Sequence, residues 1–373
     1  MRIAITINTS WNIYNFRMGL IRTLMEQGNE VIAIAPLDEY SHKLKEEGCE
    51  YVPITMDNTG SNPFKDYNLL RQLKKVYQGL KPDIVLHYTV KPNIYGTLAA
   101  SSLNIPVINN VSGLGTVFLS KSVASFAAKK LYKKAFSKAE LVFFQNSDDR
   151  KAFLAEINLP HLNSDLLPGS GINLTDFQAS PIPNQKNKTF LMISRVIIDK
   201  GILEYIEAAK QVHAKYPDVT FQLLGKLDTG HARGIPKETI SEAVDNGFLE
   251  YLGEVEDVRP FIKSSHCVVL PSYREGTPRT LLEAAALGKP IVTTDVPGCR
   301  EVVEDGENGY LCKVKSPTDL SNKMMDIYET PEDKLQEMGR KSRALVERKF
   351  DEQIVINQYL KHLSNIMNQI PNE

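Results

Sequence analysis

The chain has 373 residues, of which 42% are hydrophobic and 24% are charged, proportions that are ordinary for a globular protein with a sizeable core. Lys and Arg (44) nearly balance Asp and Glu (45), so the overall charge argues against a nucleic-acid coat protein. Four scattered cysteines exclude a disulfide framework and a C-x-x-C metal site, and we expect buried thiols of a reducing compartment. They are Cys49, Cys267, Cys299 and Cys312.

Membrane-spanning and secreted proteins are also excluded as classes. No apolar run approaches the ~18 residues of a spanning helix. The apolar stretch at 3–7 turns polar at Asn8, which makes it too short for a signal peptide. We therefore expect a cytoplasmic protein.

In the first half of the chain, short β-branched runs alternate with longer amphipathic stretches. The predicted strands are 3–7, 30–35, 51–56, 83–88, 106–111 and 141–145, and 68–79 has the apolar spacing of a helix. Strand–helix repetition of this kind predicts a doubly wound α/β sheet.

The alternation stops at 168–188, where three prolines, two glycines and many polar residues are typical of a linker. It resumes with predicted strands at 189–194, 219–224, 249–253, 267–271 and 290–294 and helices at 201–215, 235–245, 278–287 and 317–329. We therefore predict two Rossmann-like α/β domains that face one another, at 1–170 and 189–351, with a linker at 171–188. The terminal stretch, 352–367, is amphipathic and has no strand after it, so we predict a packed terminal helix.

Charge is distributed unevenly between the halves. Residues 1–170 hold 19 Lys/Arg and 15 Asp/Glu, and the surplus concentrates in 118–138, which has six lysines and no acid. A basic amphipathic helix of this kind can lie on an anionic membrane surface. The alternative is a solvated helix with ordinary surface lysines.

The nucleotide-binding motifs most common in α/β proteins are absent. Gly113-Leu114-Gly115 and Gly169-Ser170-Gly171 both lack the third glycine of G-x-G-x-x-G, and there is no P-loop, so a dinucleotide oxidoreductase or a P-loop NTPase is not supported. There is also no Asp-x-Asp pair and no His/Cys cluster at metal spacing. An anionic ligand would therefore be held by basic side chains and backbone amides.

One candidate anion site lies at 270–288, where a predicted strand, a polar loop and a helix follow one another. We predict Thr277 as the helix N-cap and Pro278 as its first residue. The amides at a helix start favour phosphate, and Gly276 allows close backbone approach. Glu275 and Glu283 are suited to accept hydrogen bonds from sugar hydroxyls; alternatively, the two carboxylates are surface charge.

The second candidate anion-binding segment runs from Arg195, at the end of a predicted strand, to Lys200-Gly201, which opens the next helix. Both cations would lie at the carboxyl end of the sheet that also carries Glu275, where open α/β sheets bind ligands. An Arg fork and a Lys point charge can neutralise a diphosphate without a metal. The alternative is that Lys200 pairs with Asp199.

Four linked segments resemble the retaining glycosyltransferases of family 4, which have the GT-B architecture. They are S-R-x5-K-G (194–201), Y-L-G-E-V-E-D-V (251–258), E-x7-E (275–283) and T-D-V-P-G-C-R-E-V-V-E-D-G-E-N-G (294–309). The resemblance implies that Arg195 and Lys200 bind the donor diphosphate and that Glu275 contacts the donor sugar. It further implies that Gly276, Thr277, Pro278 and Arg279 lie near sugar and phosphate, that Glu283 takes the ribose hydroxyls and that Gly253, Glu254 and Val255 hold the base. It also implies that the terminal helix, 352–373, returns to the first domain.

Two segments of the first half, 87–96 and 111–115, resemble the branch that extends polyprenyl-diphosphate-linked sugars. Where many members have a Gly-Gly loop after the first strand, this chain has 8–17, which we read as an aromatic, amide-rich loop ending in a cation. Such a loop suits an acceptor sugar and its diphosphate. We therefore expect the acceptor to contact Asn15, Arg17, Lys91, Asn93, Gly113 and Gly115. His87 is a candidate catalytic residue, although a lone His at a strand end is more often structural.

The resemblance predicts transfer of a hexose or N-acetylhexosamine, with N-acetylgalactosamine as the first candidate, from a UDP-sugar. The acceptor would be a polyprenyl-diphosphate-linked sugar of surface polysaccharide or glycan assembly. No cofactor or metal is expected, and nucleic acid is not an expected partner. We expect the protein to be peripheral on the inner face of the cell membrane, docked through 121–138. Two alternatives stay open: a UDP-sugar 2-epimerase of the same architecture and a catalytically silent nucleotide-sugar-binding subunit.

Overall fold

The computed structural model describes residues 1–57, 62–114, 123–185 and 187–369. The chain forms two compact units, Met1–Ser170 with Gln353–Glu373 and Gly171–Glu352. Each unit is built on one parallel sheet. The predicted class, two Rossmann-like α/β domains, is confirmed.

The sheet of the first unit has seven parallel strands in the order β3-β2-β1-β4-β5-β6-β7. They are β1 (Arg2–Thr6), β2 (Glu30–Ala35), β3 (Glu50–Pro53), β4 (Ile84–Tyr88), β5 (Val107–Val111), β6 (Leu141–Phe144) and β7 (Ser164–Leu166). The central strands are almost entirely buried, and most of their residues are apolar, because helices cover both faces of the sheet.

The helices of the first unit are α1 (Ser10–Glu26), α2 (Ser41–Glu46), α3 (Pro63–Leu80), α4 (Thr97–Ser101), α5 (Val123–Phe136) and α6 (Ser147–Ile157), and a π-helical turn spans Pro92–Gly96. Residues of α1 share one core cluster with the terminal helix. On the opposite face, α3 and α4 pack over the centre of the sheet and α5 and α6 over β5 and β6.

The sheet of the second unit has six parallel strands in the order β10-β9-β8-β11-β12-β13. They are β8 (Thr189–Ile193), β9 (Thr220–Leu224), β10 (Glu250–Gly253), β11 (Cys267–Leu270), β12 (Ile291–Thr294) and β13 (Gly309–Cys312). The helices are α7 (Ile202–His213), α8 (Lys237–Asp245), α9 (Arg259–Ser264), α10 (Arg279–Ala286), α11 (Pro317–Glu329) and α12 (Glu332–Lys349). The last helix, α13 (Glu352–Gln369), begins with Glu352 of the second unit, and its residues from Gln353 onward belong to the first unit.

Two expectations from the sequence differ from the structure. The segment 171–188 packs into the second unit: Ile172 and Ile182 are buried in its core, and Ile182 exchanges backbone hydrogen bonds with the Gln336 side chain. The segment 8–17 is mostly helix, because the Thr9 hydroxyl caps α1 by accepting a hydrogen bond from the Asn12 amide at 3.1 Å.

The terminal helix α13 completes the core of the first unit. Val355, Ile356, Tyr359 and Leu363 are buried among residues of β1, β4, β6 and α1. The outgoing and returning chain segments run side by side, since the Ile172 amide donates to the Phe350 carbonyl at 2.8 Å and the Glu352 amide donates to the Ile172 carbonyl at 3.1 Å.

All four cysteines are buried and free. Among the described residues, no helix is both long enough and apolar enough to cross a membrane.

Candidate active site

The candidate site of the second unit lies at the carboxyl ends of its central strands. The strand order reverses between β8 and β11, which are paired directly. Such a reversal leaves a crevice at the carboxyl ends of the strands, because the connections on either side run in opposite directions. The Arg195–Lys200 segment follows β8 and Glu275 follows β11, so the fold places both predicted pieces beside this crevice.

Lys200 and Glu275 form a half-buried ion pair at the centre of the crevice. The Ser272 hydroxyl also donates to Glu275 Oε1 at 2.6 Å, which fixes the orientation of the carboxylate. The alternative pairing of Lys200 with Asp199 is wrong, because Asp199 accepts instead from Arg233 Nε at 2.5 Å.

Gly201 lets the Lys200 segment lie against the end of β11. Its φ is 77°, and a Cβ at this position would collide with the Pro271 carbonyl. Only glycine meets both conditions without strain. The Lys200-Gly201 dipeptide therefore combines a cation with the residue that allows it to approach Glu275.

Arg195 is the most accessible cation of the site. Its side chain is 59% exposed, and Nη1 lies 3.7 Å from Asp228 Oδ2, a distance too long for a strong hydrogen bond. An exposed pair of this kind contributes little stability. The guanidinium can therefore turn to a phosphate at small cost.

The loop that carries Glu275 packs against the backbone at Pro297 and Gly298. The Glu275 amide donates to the Pro297 carbonyl at 3.1 Å. Gly298 has a φ of 86°, and a Cβ there would lie 2.5 Å from the Gly276 carbonyl oxygen. The sequence motif around Gly298 did not indicate a role for this glycine. Its positive φ and close backbone contact show that it supports the Glu275 loop.

The start of α10 differs from the prediction by one residue. Pro278, not Thr277, is the N-cap: its ψ of 116° is extended, and its carbonyl accepts from the Leu281 amide at 3.0 Å. The Pro278 side chain offers no acceptor to cap the helix, and the positive end of a helix dipole favours an anion. Gly276 and Pro278 are buried and Thr277 is half-buried beside this helix start.

Glu283 lies one turn into α10, where its Oε1 accepts from Arg279 Nε at 3.1 Å. Burial raises the pKa of Glu283, and the Arg279 guanidinium partly opposes that rise. The same guanidinium donates through Nη1 to the Gly171 carbonyl at 2.6 Å. Arg279 therefore orients Glu283 and favours the ionised form of its carboxyl group.

The turn predicted to hold the base stands at the carboxyl end of β10. Gly253, with a φ of 73°, accepts a hydrogen bond from the Gly225 amide at 2.7 Å. Glu254 is exposed, 3.9 Å from Lys226, and Val255 packs partly buried on the core of the unit. The turn thus has an apolar side and a polar rim at the end of the sheet.

In the first unit, His87 is buried inside the sheet and is 1% exposed. Its Nε2 lies 2.9 Å from the Tyr77 hydroxyl, and its Nδ1 lies 3.3 Å from Thr97 Oγ1 and from Asn109 Oδ1. Burial lowers the pKa of His87 to about 3. This setting favours the structural interpretation of His87 over the catalytic one.

Lys91 is half of an interior ion pair. Its Nζ lies 2.8 Å from Asp66 Oδ1, both side chains are mostly buried, and the Tyr95 hydroxyl donates to the other Asp66 oxygen at 3.1 Å. The charge predicted to meet the acceptor is therefore already neutralised. Asp66 lies 25 positions away on α3, and nothing in the sequence pattern indicated it.

The other predicted acceptor residues differ in exposure and in position. Asn93 is buried and donates to the Asn110 carbonyl at 2.8 Å, while Asn15 is exposed on α1 and donates back to the Trp11 carbonyl at 2.9 Å. Arg17 is buried on the same helix. Gly113, with a φ of 136°, follows β5, and Gly115 lies outside the described residues.

The described residues contain no group of three or more His, Cys, Asp or Glu placed to hold a metal ion. In the second unit, the described basic side chains near the crevice include Arg195, Lys200 and Arg279.

Comparison with known proteins matches both units to glycosyltransferases. Residues 175–345 match the family described as Glycosyl transferases group 1, and residues 2–146 match Glycosyl transferase 4-like. The chain is 30% identical, over 99% of its length and 100% of the relative's, to N,N'-diacetylbacillosaminyl-diphospho-undecaprenol alpha-1,3-N-acetylgalactosaminyltransferase of Campylobacter jejuni. It is 25% identical, over 70% of each chain, to UDP-Gal:alpha-D-GlcNAc-diphosphoundecaprenol alpha-1,3-galactosyltransferase of Escherichia coli.

Solved structures share the fold at lower identity. A glycosyltransferase of Rickettsia africae superposes with a TM-score of 0.81 at 17% identity, covering 99% of both chains. Anabaena HepE in complex with UDP and glucose superposes with a TM-score of 0.80 at 19% identity, covering 98% of this chain and 100% of that one. With a relative matched along its full length and family models on both units, the chain belongs to the group 1, family 4-like glycosyltransferases of GT-B fold, and it is an enzyme of sugar transfer.

Proposed function

We propose that this glycosyltransferase moves a hexose or N-acetylhexosamine from a UDP-sugar to a sugar carried on a polyprenyl diphosphate, with retention of the anomeric configuration. N-acetylgalactosamine is the first candidate for the sugar. The names of the Campylobacter and Escherichia relatives, both of which act on diphospho-undecaprenol-linked sugars, support this acceptor class. The donor binds the second unit and the acceptor binds the first.

The observation that carries the proposal is the convergence of Arg195, Lys200, Glu275 and α10 on the strand reversal of the second sheet. A nucleotide diphosphate needs positive charge along its phosphates, and Arg195, Lys200 and the α10 amides supply it. A sugar needs strong acceptors for its hydroxyls, and the carboxyl groups of Glu275 and Glu283 are such acceptors. The four features come from two segments far apart in sequence, 195–200 and 275–286, and a UDP-sugar uses all of them.

The chemical step follows from the same charges. The bond between the anomeric carbon and the β-phosphate oxygen breaks, and its electron pair goes to that oxygen. The acceptor hydroxyl forms the new bond from the same face, and its proton goes to the departing phosphate. Arg195, Lys200 and the start of α10 stabilise the negative charge that grows on the phosphate, the interaction that usually lowers such barriers most. We expect no metal requirement.

A donor panel tests the proposal. Purified enzyme receives UDP-N-acetylgalactosamine, UDP-N-acetylglucosamine, UDP-galactose or UDP-glucose with a short polyprenyl-diphosphate-sugar acceptor, with and without EDTA. We expect one donor to dominate, a product one sugar heavier by mass spectrometry, and an α linkage by NMR. Reactions without acceptor are the control. Interconversion of UDP-sugars there would indicate the epimerase, and no product with any donor would contradict transfer to this acceptor class.

We also propose that the first unit docks on an anionic membrane through α5. Phe126 is 60% exposed, and Lys130 Nζ lies 4.5 Å from its ring centre; Lys133 and Lys134 are exposed on the same helix. On the same face of the sheet, the second residue of α3 is Phe64, which is 84% exposed. Aromatic rings beside lysines suit a headgroup region. Lys121, part of the predicted docking segment, lies outside the described residues.

Vesicle co-sedimentation tests the docking. The protein should bind vesicles containing anionic lipid, and binding should fall as salt rises, because lysine–lipid attraction is screened. A triple variant, Lys130→Glu, Lys133→Glu and Lys134→Glu, should lose this binding. The matched control replaces Lys237, Lys313 and Lys334, which are exposed in the second unit, by Glu. Equal binding by both triple variants would contradict docking through α5.

A further inference from the structure

Arg17 is a buried cation to which the described chain offers no acidic partner. Its side chain is 7% exposed, and Nε is buried without a hydrogen-bond partner. Its guanidinium lies 4.4 Å from the centre of the Tyr88 ring, and Nη1 donates to the Phe16 carbonyl at 2.8 Å. Removing an arginine from water costs several kcal/mol unless charges or hydrogen bonds replace the lost hydration.

Other mostly buried basic residues in the described chain are compensated. Lys91 pairs with Asp66 at 2.8 Å, and Arg279 pairs with Glu283 at 3.1 Å. Lys289, which is fully buried, donates to the Pro181 and Lys263 carbonyls at 3.0 and 2.9 Å, and burial lowers its pKa to about 8. Arginine cannot shed its proton in this way, so Arg17 keeps a charge that an external anion would satisfy.

The guanidinium lies at the strand reversal of the first sheet. The order reverses between β1 and β4, α1 follows β1, and Tyr88 is the last residue of β4. Side chains of a helix point back toward its N-terminus, which brings the Arg17 head from the second turn of α1 to the carboxyl end of β4. Ligands of open α/β sheets bind at such a reversal.

The surroundings of Arg17 are polar and strained in the manner of a ligand site. Asn93 Oδ1 and Asn110 Oδ1 are buried without hydrogen-bond partners. Thr89, next along the chain, has a φ of 66°, which is rare for a β-branched residue and is found mostly where function imposes it. The π-helical turn that begins at Pro92 is also typical of functional sites.

We propose that Arg17 binds the diphosphate of the lipid-linked acceptor and that Tyr88 is a positioning residue whose ring holds the guanidinium in place. The proposal rests on the proposed function, since it takes its ligand from the acceptor class. A planar guanidinium matches phosphate oxygens with two parallel hydrogen bonds. The second unit already provides cations for the donor phosphates, so Arg17 provides the corresponding charge for the acceptor.

Kinetics with two acceptors test this assignment. The wild type is compared with Arg17→Gln on the diphosphate-linked acceptor sugar and on the same sugar as a simple alkyl glycoside. Loss of a charge-assisted contact is expected to raise the acceptor KM about tenfold or more, for the diphosphate acceptor alone. The donor KM and the dissociation constant of UDP, measured by calorimetry, should change less than about twofold. The matched control is Arg22→Gln on the same helix, which removes an exposed arginine paired with Glu47.

A second measurement separates binding from folding. An uncompensated buried charge is unfavourable without its ligand, so Arg17→Met should raise the melting temperature of the free enzyme, by about 2–4 °C. A purely structural arginine would give the opposite sign. Tyr88→Phe keeps the ring and should retain the wild-type acceptor KM, whereas Tyr88→Leu should raise it with little change in kcat.

Specific outcomes would overturn the inference. If Arg17→Gln raised the donor KM, or weakened both acceptors equally, Arg17 would not bind the acceptor diphosphate. If the wild type transferred sugar normally and Arg17→Gln did so too, only this inference would fail. If the wild type used no polyprenyl-diphosphate acceptor at all, the proposed function itself would fail.

Discussion

The two sheets share one strand order around their reversal points but differ in the chemistry that they place there. In the second unit, Lys200 and Glu275 form an ion pair, and Arg195 stands exposed just after β8, 3.7 Å from Asp228. In the first unit the corresponding place holds tyrosines, asparagines and one buried arginine, Arg17, with no acid among its described contacts. The same backbone topology therefore supports two kinds of ligand site.

This difference indicates how the substrates are divided. Paired charges can exchange partners when a charged ligand arrives, so the second unit suits a nucleotide diphosphate whose charge increases during reaction. Neutral amides and hydroxyls accept and donate hydrogen bonds without a change of charge, so the first unit suits a sugar. Each variant below changes a residue of one unit, and the other unit serves as the reference.

Removing a donor-side cation should have the largest effect. Arg195→Ala and Lys200→Ala are each expected to lower kcat by about 100-fold or more, because charge growing on the departing phosphate loses a stabilising partner. Circular dichroism should show an unchanged fold. The control is Lys226→Ala, an exposed lysine 3.9 Å from Glu254. Near-normal kcat in either variant would contradict the assignment of the donor site.

Glu283 should matter for binding more than for chemistry. Glu283→Gln is expected to raise the donor KM about tenfold, since a charged acceptor is replaced by a neutral one. Because burial raises the pKa of Glu283, its ionised form disappears at a higher pH than for an ordinary glutamate. Wild-type UDP affinity should thus weaken early as pH falls, and the Gln variant, measured by the same titration calorimetry, should lack this component.

Gly298→Ala should disturb the Glu275 loop through sterics alone. The added Cβ would lie 2.5 Å from the Gly276 carbonyl oxygen at a φ of 86°. We expect a lower kcat and a melting temperature several degrees lower, about 2–4 °C for each kcal/mol lost. Gly247→Ala is the matched control, because its φ is 74° but its Cβ would meet no atom within 4 Å. Equal effects of the two variants would show that φ strain alone is responsible.

The smallest effect at neutral pH concerns the buried histidines. Burial lowers the pKa of His87 to about 3 and of His266 to about 4, below the value of about 6.5 for a free histidine. The unfolded chain therefore binds more protons, so stability is full above pH 6.5 and falls as pH decreases toward 3. Urea unfolding at pH 7 and pH 4.5 should show a smaller acid loss for His87→Gln in the first unit and His266→Gln in the second.

Much of the fold was predictable because most of its strands are short runs rich in apolar and β-branched residues. Strand β2 matches the prediction to the residue, and most other predicted strands differ by one residue at an end. Strands β7 and β13 were missed, since Ser164–Leu166 and Gly309–Cys312 are short and lack a β-branched run. The Thr9 cap, which turned an expected loop into α1, is a signal that could have been read.

The sequence predicted the residue types and the segments of the candidate site, but not which residues form ion pairs with one another. Lys200–Glu275 and Lys91–Asp66 are ion pairs between elements far apart in the chain, and only the tertiary fold brings such partners together. The pairing decides function: Lys91 was predicted as a free cation, and Asp66 neutralises it. The burial of Arg17 was equally invisible, because the segment around it was read as a loop.

The route of the chain has a consequence for its synthesis. The first unit receives Val355, Ile356, Tyr359 and Leu363 from α13, after the whole second unit has been made. Until the ribosome releases these last segments, the apolar surface that they cover stays open to water and to other nascent chains. Synthesis therefore completes the first unit last, and a premature stop before α13 would leave a partly folded product prone to aggregation.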